Sequence, residues 1–193
     1  MDNSKRIGEY LAFIGLVSAG ISLRLFFRDL PNFAPVAALA LFSGYFFRSR
    51  VMALAVPLTI MLASDLVLGG YQPVLMATVY AMLALPVAAR GILRRVFRFE
   101  QGRWSRNAAA ACGLLACGLA SSILFFVVTN FAAWSAMGIY DRSWSGLLHC
   151  YVQGLPFFRF TLAGDLGFAL VLFAGYAIAK SVVRQPQPKI VAA

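Results

Sequence analysis

Short basic clusters divide this chain into long apolar stretches, and that alternation limits the fold more than any other feature. About 20 apolar residues cross a bilayer as helix. Six segments meet or approach that length: 7–27, 33–48, 51–69, 72–92, 107–134 and 160–181. The second is short, yet Pro31, Asn32 and Pro35 mark a helix start. Asn32 can cap it, and Pro35 falls in the first turn, where a missing N–H costs nothing. If the spans alternate, Lys5, Arg6, Arg48, Arg50, Arg90, Arg94, Arg95, Arg98, Arg103, Arg106, Lys180, Arg184 and Lys189 share one face. Arg24, Arg28, Arg142 and Arg159 fall on the other. Thirteen of the 17 basic residues thus lie together, which makes that face and both termini cytoplasmic. Five or seven spans would scatter the basic loops over both faces. The expectation is one all-α, polytopic domain over residues 1–193 with six transmembrane helices, N-in and C-in.

Only 12% of the residues are charged, against about a quarter in soluble domains, so a lipid bilayer must cover most of the surface. The net charge of +10 does not point to nucleic acid, because the basic residues sit in short clusters between apolar runs. Val17-Ser18-Ala19 resembles a signal-peptide cleavage site, but the apolar run continues past it. No disulfide framework is expected: Cys112 and Cys117 are five apart and face different sides of a helix, and Cys150 lies across the membrane. One histidine, His149, makes no metal site alone. No metal and no cofactor are expected. With no serine elbow, His-based triad, carboxylate pair at fixed spacing or phosphate loop, neither is an enzyme.

Most loops are tight. The long one is the outer stretch 135–159, where Trp144, Leu147, Leu148, Tyr151 and Leu155 make the apolar stripe of an amphipathic helix over about 143–158. It is expected to lie on the outer face as a lid or interfacial helix. The basic loop 90–106 reads as an orientation signal, and the tail 185–193 as extended and disordered. Gly8 with Ala12, Gly15 with Ala19, Ala34 with Ala38 and Ala40 with Gly44 are spaced for close helix contact.

Polar residues within the spans are the candidates for function. Asp65 lies about a turn from the outer end of span three, and Asp165 about a turn and a half into span six from the same side. A charge inside a membrane needs a partner or water. Arg24, Arg28 and Arg159 lie at a similar depth and are the expected charge partners. Asn32 and Asn130 flank the same outer layer, and Tyr80, Trp134 and Tyr151 can add aromatic surface to a pocket there. The alternative is that this polar layer only holds helices together.

The run from Arg24 to Gly44, with Val56-Pro57, Ser64-Asp65, Val79-Tyr80, Phe125-Phe126, Asn130-Phe131, Trp134 and Cys150-Tyr151, resembles a family of uncharacterised bacterial multi-pass membrane proteins. The likeness covers about 20–175 and implies a bacterial inner (plasma) membrane. More distantly, the chain resembles the S components of energy-coupling-factor (ECF) transporters. Those are six-helix, N-in proteins that bind vitamins or metal ions from outside and dock an energising module on the cytoplasmic side. It is also similar, more faintly, to the solitary cobalamin transporters of that fold, which use a membrane cysteine to hold cobalt. The comparable stretch Met76–Tyr80 has no cysteine.

The resemblance implies uptake of a small solute, vitamin-like or metal-containing, through a pocket in the outer half. Asn32, Asp65, Tyr80, Asn130, Trp134, Tyr151 and Asp165 would line it, with Arg24, Arg28 and Arg159 as charge partners. The other readings are a structural or accessory membrane protein without a ligand, and a stand-alone proton-coupled transporter titrating at Asp65.

Overall fold

A short, largely apolar helix forms the axis of the bundle. The computed structural model describes residues 3–30, 32–97 and 104–183. Pro31, Arg98, Arg103, Arg184, Lys189 and the tail 185–193 fall outside them, as do the side chains of Lys5 and Arg106. Among the described residues there are helices and no strands: α1 (Asn3–Phe26), α2 (Val36–Phe46), α3 (Arg50–Leu68), α4 (Pro73–Ala88), α5 (Arg90–Val96), α6 (Trp104–Ala136) and α7 (Trp144–Val183). The expected all-α fold is therefore observed. Five helical stretches are long and apolar enough to cross a membrane: α1, α3, α4 running into α5, α6 and α7.

The segment expected as span two is shorter than its apolar run. α2 has 11 residues, a rise of about 16 Å at 1.5 Å per residue, roughly half a bilayer's hydrocarbon core. A helix apolar on every side belongs in a core. Accordingly Val36 and every residue from Ala38 to Gly44 are buried, and α2 touches all six other helices. Asn32 does not cap it. Pro35 occupies the N-cap position with no side-chain cap, and Asn32 instead takes a left-handed φ of 61° in the turn before it. Asn tolerates that conformation better than most residues.

The far end of α2 is clamped. The last carbonyls of a helix lack partners and carry the negative end of its dipole. Arg90 Nη2 donates to Phe47 O at 2.7 Å and to Arg48 O at 2.8 Å, and Arg94 donates to Phe47 O at 2.6 Å and Tyr45 O at 3.2 Å. The start of the basic loop is thus helix α5, and two of its arginines hold α2 in place.

Pro57 interrupts α3 and leaves Ala53 O without its helical donor. Ser43, fully buried on α2, supplies one: its Oγ lies 2.9 Å from that carbonyl. Two apolar clusters surround this axis. One joins α2 to α3 through Val36, Leu39, Val56 and Ile60; the other is aromatic, with Phe97 and Phe173 rings 4.5 Å apart beside Phe42 and Tyr45. Gly44 lets α2 approach α4 closely, since a Cβ there would meet Val87 Cα at 3.3 Å. By contrast, Gly8 and Gly15 on α1 have nothing packed over them.

The outer segment 143–158 is not a separate lid. It is continuous with span six as α7, 40 residues long and antiparallel to α6. Most of its apolar stripe faces away from the bundle: Trp144 is 86% exposed, Leu148 66% and Leu155 53%, while Leu147 and Tyr151 are half-buried. The buried edge carries Gly146, Cys150 and Gly154, one small residue per turn. Small residues let backbones approach, and that gain decides which face of this stretch packs on α6.

Candidate functional site

Because α2 is short, the half of the bundle beyond its N-terminal end is incompletely filled. The chain returns from α1 through 27–35, and two adjoining cavities remain around that turn. The lower, about 200 Å³, lies against the start of α2 and reaches Asp165; the upper, about 410 Å³, reaches Tyr71, Asn130 and Gly154. Arg24, Asn32, Met61, Val79, Phe125 and Thr161 border both, so the two share a wall.

Two polar groupings stand in this layer. In the first, Arg24 of α1 pairs with Asp65 of α3 at 2.6 Å and also donates to Ser64 Oγ. Tyr80 of α4 donates to the other oxygen of Asp65 at 2.9 Å. Both carboxylate oxygens are used and Asp65 is only 6% exposed, so the cluster ties three helices together. Arg24 stands between Asp65 and the cavity. In the second grouping, Asp165 of α7 meets Ser122 of α6, their oxygens 2.7 Å apart. Asp165 is 4% exposed and borders the lower cavity. Among the described residues none hydrogen-bonds to both acids, so they stand in separate clusters.

Asn130 borders the upper cavity, its amide nitrogen donating to Phe126 O at 2.8 Å. Its side-chain oxygen rests over Gly154, where a Cβ would collide with it. Trp134 and Tyr151 do not border the cavities. Trp134 donates to Asp141 O at 2.9 Å, bracing the turn between α6 and α7, and Tyr151 donates to Val127 O at 2.9 Å, joining those helices. Their polar tips are thus engaged in holding the hairpin. Arg28 sits exposed at the cavity rim, 3.9 Å from Asp29. Arg159 is no charge partner among the described residues: it is exposed and lies over the Phe160 ring, 4.9 Å from its centroid. Being at the right depth does not suffice, because helix rotation points it away from both acids.

Ser122, Thr161 and Gly154 join the site without having been singled out in the sequence, and Ser64 stood out there only as the neighbour of Asp65. Ser122 had one weak signal, a serine pair in the middle of an apolar run.

Over residues 4–188, from the first turn of α1 to beyond the end of α7, the sequence matches a family of unknown function, DUF6580. The chain belongs to that family. No curated protein and no solved structure matches it. The DUF6580 chain also presents Tyr71 to the larger cavity, from the turn between α3 and α4. Partial burial, and then the nearby Asp65 carboxylate, push its phenol above the ordinary value of 10.0. Among the described residues of this DUF6580 protein, no three His, Cys, Asp or Glu side chains gather to hold a metal ion.

Proposed function

We propose that this DUF6580 protein is a bacterial inner-membrane protein that binds a small solute from the outer face and takes part in its uptake. Both termini lie in the cytoplasm in this reading. The half-length α2 completes a six-segment, S-component-like topology, and an energising module docks on the basic face. One observation carries the reading: the outer half holds two adjoining cavities that six helices wall and no side chain fills. The larger, about 410 Å³, falls in the size range of small-molecule sites, and the lining of both has the usual character of such sites, apolar walls with a few polar groups. Phe27, Phe33 and Phe125 supply aromatic surface, and Asn32, Asn130 and Thr161 supply polar contacts. Asp65 is then a helix clip beside the site and not a ligand contact or a titrating carrier, since Arg24 and Tyr80 occupy its oxygens.

The test is mass spectrometry of small molecules that copurify in mild detergent, for the wild-type protein and for Val79→Phe. That variant adds a ring to the wall shared by both cavities. A compound present with the wild type and depleted with a folded Val79→Phe supports the reading. An unchanged set of copurifying compounds removes it and leaves the ligand-free structural role.

A further inference from the structure

Ser122 Oγ carries one hydrogen but has two acceptors in reach, Gly118 O at 3.0 Å and Asp165 Oδ2 at 2.7 Å. A hydroxyl can share its hydrogen between two acceptors, as Ser43 does between Ala40 O and Ala53 O. A neutral Asp165 gives each contact at Ser122 its own proton: its O–H donates to Ser122 Oγ, and Ser122 donates to Gly118 O, a common bond for a helical serine. The surroundings favour the neutral form as well. Ser122 is fully buried, Asp165 is nearly so, and no cation lies within ion-pair distance of Asp165 among the described residues. A bare carboxylate at such depth is costly.

Other charged groups near the cavity are committed elsewhere. α1 brings Arg24, paired with Asp65, and Arg28, exposed at the rim beside Asp29. α3 and α4 bring Asp65 and Tyr80, which bond each other behind Arg24. The turn before α2 brings only the neutral Asn32, and α6 brings Ser122, with Cys117 roughly a turn and a half away. Asp165 therefore faces the cavity as its one uncompensated acidic group among the described residues, and the Phe33 and Phe125 rings line the same cavity. Aromatic faces attract cations.

We infer that Asp165 carries a proton in the empty cavity and exchanges it for the ammonium group of a cationic ligand. The Asp165 O–H bond breaks, the proton leaves to the outer water, and the ammonium keeps its hydrogens and pairs with the carboxylate. One proton departs for each cation bound. This inference rests on the solute-binding reading and narrows it to ligands with a protonated amine.

Infrared spectra of the detergent-solubilised protein test the empty state. At neutral pH the wild type should show a carboxylic-acid carbonyl band that Asp165→Asn lacks. Phenethylammonium should remove the band, and its affinity should rise about tenfold per pH unit while Asp165 remains protonated in the free protein. The isosteric 2-phenylethanol and the anionic 3-phenylpropionate should leave the band in place. Absence of the band, or a band that phenethylammonium leaves intact, overturns the exchange. If the neutral or anionic probe binds, tolerates Asp165→Asn and is lost in Val79→Phe, the cavity reading stands and the exchange alone fails.

Discussion

Replacing Arg90 with methionine isolates the clamp on α2. The side chain is buried and gives two hydrogen bonds from a charged donor, to Phe47 O and Arg48 O. Phe47 O keeps its bond from Arg94, so the substitution orphans chiefly Arg48 O. One bond to a charged donor is worth about 1.5–3 kcal/mol, and loss of a cation at a helix C-terminus adds about 0.3–1 kcal/mol. The expected cost of Arg90→Met is therefore about 2–4 kcal/mol. Arg94→Met should cost a similar amount through Tyr45 O. The double variant leaves Phe47 O, on a fully buried residue, with neither arginine. It should exceed the sum of the singles by about 1–2 kcal/mol, because an unsatisfied buried carbonyl appears only then. Reversible unfolding in mixed micelles measures all three. Arg95→Met, at an exposed position on the same helix, is the control and should stay within about 0.5 kcal/mol of wild type. If Arg90→Met costs no more than that control, or if the double variant is additive, the clamp is not what holds α2.

Asp65→Asn should destabilise the protein by about 3–5 kcal/mol in the same assay, because it leaves Arg24 uncompensated in a partly buried site, whereas Tyr80→Phe removes one hydrogen bond and should cost about 1 kcal/mol. Near-equal effects of the two would refute the ion pair as the core of that cluster. At Tyr71 the folded phenol holds its proton more tightly than the unfolded one, so its contribution to stability is present below pH 10 and is lost as pH rises through the higher folded value. Tyr71→Phe should flatten that alkaline decline, as followed by melting temperature between about pH 9 and pH 12.

The readable parts of the site were those with a strong local cost. A carboxylate inside an apolar run is visible at once, and Asp65 and Asp165 are both buried as their positions imply. Arg24 was legible as a partner because few cations share that depth, but Arg159 was equally eligible and turns away. Ser122, Thr161 and Gly154 carried little or no signal, because small polar residues and glycine are ordinary in membrane helices. The stripe on 143–158 misled for a related reason. In water an apolar stripe must find a core, but in lipid it can face outward while small residues take the packed side.

By itself the sequence determined the helical class, the membrane character and the layer in which polar chemistry sits. Those follow from transfer free energies that act on each residue wherever it ends up. Only the tertiary structure decided that α2 stops after 11 residues, that α5 arginines close its end, and that Asp65 is paired while Asp165 is not. Those outcomes depend on helix rotation and on contacts between residues some 40 positions apart, which no local preference encodes. The two cavities exist for the same reason: a short central helix leaves the half of the bundle beyond its N-terminal end unfilled, and only the packing around it shows how much room remains.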